Sequence, residues 1–310
     1  MGGFIRLHCT FMNRKIRYLY QSAGISSSSH TPMYQLTKDH PEKRAFITGA
    51  ASGLGQAFCF ELAREGWTIG MADINVKDMA VTAAEIEKLG GKPLSFPLDV
   101  SDKEQYKKVA EEFLALAGGI DLLFNNAGVG DGGGFEEYAL ENYEWMVGIN
   151  QMGVVYGCYY FIPAMKKQRS GHILNTASAA AIGCAPTMGA YNMTKAAVVA
   201  ISETLYGELM DHNIRVSCIQ PLYFKTNVIQ YARGGELVKK ATQMFIDRSG
   251  LEAPEVAREI LERAGKKELY ILLPKEARKM WALKRLAPTW FRKQVKERFM
   301  HAMRKAAKRV

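Results

Sequence analysis

The chain contains no run of 18 apolar residues, so nothing in its 310 residues reads as a membrane-spanning helix. Cysteine is sparse. Cys9, Cys59, Cys158, Cys184 and Cys218 lack the paired spacing of a metal site or a disulfide framework, which excludes a zinc module and points to a reducing, cytoplasmic setting. Acidic residues are scarce at both ends: residues 1–40 hold five Lys and Arg against Asp39 alone, and Lys266 to Val310 hold 15 against Glu268, Glu276 and Glu297. Since the whole chain carries only +10, the stretch between is net negative. The basic balance thus belongs to the termini. The body carries no nucleic-acid reading motif, and a nucleic-acid partner is not expected.

A hydrophobic content of 48% is ample for a large core, and no break in composition divides residues 41–274, which read as one domain. Residues 1–40 read as a separate N-terminal extension. Their basic residues, the run Ser26 to Ser29 and the near lack of acid are shared by mitochondrial transit peptides. An unstructured extension, with Met12 or Met33 as a later start, is the other reading. No continuous apolar stretch of the kind a secretory signal needs is present.

Inside the domain, Ala45-Phe46-Ile47 leads into Thr48-Gly49-Ala50-Ala51-Ser52-Gly53-Leu54-Gly55 and then into the helical pattern Gln56 to Arg64. Strand, glycine turn and helix is the order in which backbone N–H groups and a positive helix end meet an anion such as a dinucleotide pyrophosphate. Gly49 permits the sharp exit from the strand, Gly53 lets phosphate approach the backbone, and Gly55 brings the helix close to the sheet; Ser52 and Leu54 complete the turn. Asp73 follows Gly49 by 24 residues, a distance from which a carboxylate reaches the adenosine ribose hydroxyls and repels a 2′-phosphate. NAD is therefore the expected cofactor, ahead of NADP.

Further on stand Asn125-Asn126-Ala127-Gly128 and Tyr191-Asn192-Met193-Thr194-Lys195. Together with the turn, these ordered motifs resemble the short-chain dehydrogenase/reductase family over roughly residues 43–273. The resemblance implies that Asp99 and Val100 meet the adenine, that Asn126, Ala127 and Gly128 run along the cofactor, and that Pro221 and Thr226 lie against the nicotinamide carboxamide. It implies Tyr191 as acid/base and Lys195 as the group that tunes it, both also touching cofactor. Ser178 would hold the substrate oxygen at Tyr191, and Asn150 would bend its helix and hold a water linking the lysine to solvent. Tyr191 and Lys195 are four apart and share a helical face, and an ammonium beside a phenol favours the phenolate. Three positions depart from the usual family pattern: Ala177 before Ser178, Gln151 beside Asn150, and Leu222 where glycine often follows the proline. Two plainer readings stay open. Asp99 could cap the helix beginning near Asp102, and Asn150 could face solvent.

Seven apolar runs, Ala45–Thr48, Thr68–Ala72, Leu94–Leu98, Ile120–Phe124, His172–Thr176, Arg215–Ile219 and Leu269–Leu273, alternate with helical patterns. The alternation predicts an α/β fold of the Rossmann type, a doubly wound seven-stranded parallel sheet with helices on both faces. Residues 222–250 read as a substrate lid, with Tyr223, Phe224, Val228, Ile229, Tyr231, Leu237, Met244 and Phe245 as candidate walls of a lipophilic pocket. The expected function is an NAD(P)-dependent oxidoreductase interconverting a secondary alcohol and a ketone, with no metal. The alternatives are an NADPH-dependent reductase of a fatty ketone or aldehyde, and a non-catalytic nucleotide-sensing or membrane-docking protein on the same scaffold. The resemblance implies a homo-oligomer built on the two long helical runs, Leu140 to Lys167 and Met188 to Met210. In the tail, residues 275–310, Phe291, Val295, Phe299, Met303, Ala306 and Val310 form one apolar stripe among many cations. That stripe is expected either to lie on an anionic membrane or to pack on the body or a partner subunit; a free solvated tail is the third reading.

Overall fold

The computed structural model describes residues 34–226 and 228–307. Residues 1–33 of the expected extension and the end of the tail, including Val310, lie outside them. Seven strands form one sheet in the order β3-β2-β1-β4-β5-β6-β7: β1 Arg44–Thr48, β2 Thr68–Asp73, β3 Lys92–Pro97, β4 Leu122–Asn125, β5 Gly171–Thr176, β6 Ile214–Pro221 and β7 Tyr270–Leu273. All neighbours pair in parallel. Each predicted strand is present, its ends within two residues of expectation. The chain winds from β1 to one edge, returns, and winds from β4 to the other, so the order reverses between β1 and β4 and leaves a crevice at the strands' carboxyl ends.

Helices connect the strands and cover the sheet: α1 Gln35–Asp39, α2 Gly53–Ala63, α3 Val76–Lys88, α4 Lys103–Ala117, α5 Leu140–Val147, α6 Gly153–Gln168, α7 Ala180–Gly183, α8 Gly189–Leu209, α9 Glu236–Ser249, α10 Ala253–Gly265, α11 Lys275–Leu286 and α12 Pro288–Ala307. Local chemistry sets their ends. Asp102 caps α4 by accepting from the Glu104 and Gln105 amides, and the left-handed Gly118, at φ 73°, stops it. A capping box of Glu252 and Glu255 starts α10.

With helices on both sides, the central strand is buried on both faces, which explains its unbroken apolar run Ala45-Phe46-Ile47. Phe46 sits at the heart of an aromatic cluster, its ring centroid 4.8 Å from that of Phe161, 5.1 Å from Phe113 and 6.0 Å from Phe96. At the amino ends of the same strands, the Arg44 guanidinium grips the buried Asp121 carboxylate through Nε and Nη2, both at 3.0 Å.

Residues 34–40 differ from expectation, and for the tail one of the expected readings holds. Residues 34–40 belong to the body and not to an extension: Leu36 is buried, the Tyr34 hydroxyl donates to Glu61 at 3.0 Å, and Trp67 Nε1 donates to Thr37 at 3.0 Å. The tail stripe also packs inward. Phe291 is buried with Ala179, Ile182, Leu272 and Ala277, while Phe299, Met303 and Ala306 are buried against Val238 and Ala241 of α9. From Phe291 to Ala306 the stripe therefore covers the enzyme's own apolar surface and is not offered to a bilayer or to solvent. Pro288 opens α12, where its missing N–H costs nothing.

Replacing Phe46 with Ala should lower unfolding stability by about 3–5 kcal/mol, the cost of emptying a large buried aromatic site. Urea unfolding followed by fluorescence measures this, and a loss under about 1 kcal/mol would mean that the cluster is not the packing centre described here.

Candidate active site

The site begins where β1 and β4 end. The Thr48 hydroxyl accepts from the backbone N–H groups of Asn126 at 2.9 Å and Ala127 at 3.0 Å, and Asn126 Nδ2 returns a bond to the Thr48 carbonyl at 3.0 Å. This lashes Asn126-Ala127-Gly128 to the glycine turn. Gly49, at φ 69°, leaves the strand in the left-handed region while its amide donates to Ala72 in β2. A Cβ on Gly55 would lie 2.1 Å from the Gly49 carbonyl oxygen and 2.7 Å from Asn126 Nδ2, so α2 can approach the sheet only because residue 55 has no side chain. Ser52 precedes α2 without capping it through its side chain, which leaves the first amides of the helix to an anion.

Asp73 closes this end of the crevice. One carboxylate oxygen accepts from the Ala51 amide and the other from the Asn75 amide, both at 2.9 Å, so the acid is pinned beside the turn at the end of β2. Asp99 does not cap α4, since Asp102 does; its carboxylate holds Ser101 through both the amide, 2.9 Å, and the hydroxyl, 2.7 Å.

The chemical groups stand on the other side. Between α5 and α6, Gly148–Met152 forms a π-helical turn, and Asn150 points inward from it. Its Oδ1 accepts from the Val129 amide at 2.8 Å, and its Nδ2 donates to the Val129 carbonyl at 2.9 Å and to Thr194 Oγ1 at 3.2 Å. The solvent-facing alternative is therefore excluded, because the residue is fully buried. Ser178 follows β5, and Tyr191 and Lys195 lie on α8. Lys195 is buried, donates to the Thr176 carbonyl at 2.8 Å, and holds its Nζ 5.8 Å from the centroid of the Tyr191 ring.

Electrostatics here depart from the sequence expectation. Burial pushes the Tyr191 phenol above its ordinary pKa, and the opposing influence is a hydrogen bond with Ser178, not the charge of Lys195. Burial also lowers the Lys195 ammonium to about 8. The protein matrix by itself thus favours the neutral form of both groups.

Around these residues opens a cleft of about 800 Å³. It brings together Gly49, Ser52, Gly53, Leu54, Asp73, Asp99, Val100, Asn126, Ala127, Gly128, Ser178, Tyr191, Lys195, Pro221 and Thr226. Gly55 and Asn150 lie behind its wall and act through packing and positioning. Leu222 needs no left-handed backbone: its amide donates to Leu273 at 2.7 Å and its side chain packs with Ala179 and Phe291, so the loop bends without glycine. Of the expected lid residues, Tyr223, Phe224, Val228, Ile229, Tyr231 and Phe245 line the cleft, whereas Leu237 and Met244 do not.

The sequence reading missed a second wall. Met280, Leu283, Trp290, Phe291, Gln294 and Phe299 of α11 and α12 line the same cleft, and Phe245 stacks between Tyr223 at 4.8 Å and Phe299 at 6.3 Å. Two cations fasten this wall to α7, just beyond Ser178. Lys284 donates to the Ala181 carbonyl at 2.8 Å, and Arg292 to the carbonyls of Ile182 and Gly183.

Residues 43–236 match the family model described as short chain dehydrogenase. The chain is 33% identical over 233 residues to a 3-oxoacyl-acyl-carrier-protein reductase of Thermotoga maritima, covering 74% of this chain and 93% of the relative. It is 32% identical over 198 residues to a cyclohexanol dehydrogenase of an Acinetobacter species, covering 64% of this chain and 79% of the relative. Among solved structures, a short chain dehydrogenase/reductase from Burkholderia phymatum in complex with NAD superposes with a TM-score of 0.74 at 32% identity, over 78% of this chain and 92% of that one. Sequence match, sheet order and the grouping of the motif residues in one cleft agree, and the chain belongs to the short-chain dehydrogenase/reductase family, NAD(P)-binding oxidoreductases that act on CH–OH groups.

Proposed function

We propose that this enzyme interconverts a lipophilic secondary alcohol and its ketone, using NAD in preference to NADP. The observation that carries the reading is the shared cleft: Ser178 and Tyr191 face it at one point, the glycine turn and Asp73 form one end, and aromatic and aliphatic side chains of residues 222–250 and of α11 and α12 form the other. A substrate oxygen placed between Ser178 and Tyr191 would accept from both hydroxyls. In reduction the Tyr191 phenol gives its proton to the carbonyl oxygen; in oxidation the phenolate takes the proton of the alcohol. A bound nicotinamide supplies or accepts the hydride, and its positive oxidised ring offsets the burial that holds the phenol neutral. Lys195 adds charge to the same region below a pH of about 8, where its ammonium is protonated. Asn150 Oδ1 and Lys195 Nζ lie 3.1 and 3.3 Å from where a Cβ on Gly128 would stand, so a water in the space that the glycine leaves would touch both and link the lysine to a proton path.

Asp73 favours NAD because a 2′-phosphate would face a carboxylate already fixed by two backbone amides, and neither Ser52 nor Ile74 supplies a compensating cation. The NADPH-reductase alternative has no such support. The non-catalytic reading is disfavoured by the buried placement of Asn150 and Lys195, since a site without chemistry has no need of a desolvated ammonium.

Tyr191→Phe should lower turnover by at least ~100-fold while NADH still binds, as read by nucleotide fluorescence. Because burial raises the phenol's pKa, the wild-type rate of alcohol oxidation should climb with pH through the alkaline range, where phenolate forms. Ketone reduction, which uses the protonated phenol, should show no such rise. Near-normal turnover of the Phe variant, or an oxidation rate flat from neutral to strongly alkaline pH, contradicts the assigned role.

The kcat/KM with NAD should exceed that with NADP by ~10-fold or more, the factor that about 1.4 kcal/mol of repulsion gives. Asp73→Ser should narrow the gap. A wild-type preference for NADP removes Asp73 as the selector.

A further inference from the structure

Burial of the tail stripe leaves a different set of apolar residues outside. At the elbow between α11 and α12, Leu286 is 83% exposed, Trp290 52% and Leu283 39%. Two of these three, Leu283 and Trp290, also line the catalytic cleft, so its apolar wall continues outward to the surface at this elbow. The helices that carry the elbow hold 11 Lys and Arg against Glu276 and Glu297. Most of these cations are exposed, and Lys293 and Lys296, which follow Trp290 along α12, enter no ion pair among the described residues.

We propose that the α11–α12 elbow docks on an anionic lipid surface, with Leu286 and Trp290 entering the headgroup layer and the surrounding cations facing lipid phosphates and carboxylates. Three features select this occupant over any other. The apolar residues are clustered at one exposed bend, which suits shallow insertion. The flanking charge is predominantly positive, which suits a surface of the opposite sign, where each cation contributes about 1 kcal/mol. An aromatic indole sits at the boundary, as interfacial residues do. The tail is thus both wall and foot: the buried stripe holds it to the enzyme, and the elbow holds the enzyme to the membrane. The purpose of docking rests on the lipophilic-substrate reading above, since a cleft mouth pressed to the bilayer receives substrate without a passage through water. The docking itself does not depend on that reading.

The test is co-sedimentation of the full chain at low salt with vesicles of phosphatidylcholine alone and of phosphatidylcholine with phosphatidylserine. Wild type should sediment with the anionic vesicles, and far less with neutral ones or at high salt. Leu286→Glu, at an exposed position outside the cleft, should weaken partitioning by at least ~10-fold while leaving kcat/KM for a short, water-soluble secondary alcohol unchanged. Lys293→Glu should weaken it less. Equal sedimentation of wild type and Leu286→Glu overturns the proposal, as does failure of wild type to bind anionic vesicles. Light scattering covers the competing occupant: a dimer lost in Leu286→Glu, without vesicle binding by wild type, would assign the elbow to a second copy of the chain. Sedimentation is read without turnover, so a wrong substrate class leaves this result intact.

Discussion

The whole site hangs on one hydroxyl. Thr48 Oγ1 accepts two successive backbone amides, those of Asn126 and Ala127, and so joins the end of β1 to the end of β4 at the point where the sheet order reverses. The glycine turn departs from one side of this knot and Asn126-Ala127-Gly128 from the other. The two amides are donors that a parallel strand pair leaves unsatisfied at its end, and in a buried crevice that would be costly. Satisfying them with a side chain from the neighbouring strand makes the gap between β1 and β4 a fixed width, and Gly55, packed against Gly49 and Asn126, and Gly128 are placed against it.

Burial then shapes the chemistry more than charge pairing does. Tyr191 and Lys195 are carried on one helical face, yet the ammonium reaches past the ring to the Thr176 carbonyl instead of pairing with the phenol oxygen. Desolvation raises one pKa and lowers the other. A residue pair held in this way is poised but not discharged: the proton acceptor appears when a positive ring arrives beside it. On the proposed mechanism, readiness for proton transfer would thereby depend on occupancy by the oxidised cofactor.

Much of this was legible in the sequence because the nucleotide half depends on local rules. Glycine spacing, apolar runs of strand length and the four-residue step from Tyr191 to Lys195 each fix a geometry within one element or one turn, and the resemblance supplied the roles. The parts that were not legible depend on which surfaces meet. The period of Phe291, Phe299 and Met303 announced an apolar stripe, but nothing in a periodicity says whether its partner is lipid, a second subunit or α9; the structure supplies α9. Likewise Tyr34 and Leu36 lie in a stretch whose composition resembles an extension, and only Glu61, Glu65 and Trp67, distant in sequence, turn it into part of the body. The upward push of burial on the Tyr191 phenol is hidden for the same reason, because desolvation is a property of the assembled cleft and leaves no mark on a single helix.

The order of elements along the chain also has a consequence in time. The sheet is complete at Leu273, and the residues proposed to hold nucleotide or handle a proton precede it, whereas residues 280–299 add a second wall to the substrate end that residues 222–250 begin. During synthesis the N-terminal parts of a chain emerge first. The strands and turns that carry the proposed cofactor and proton-handling residues are therefore made before α11 and α12 add their wall to the cleft.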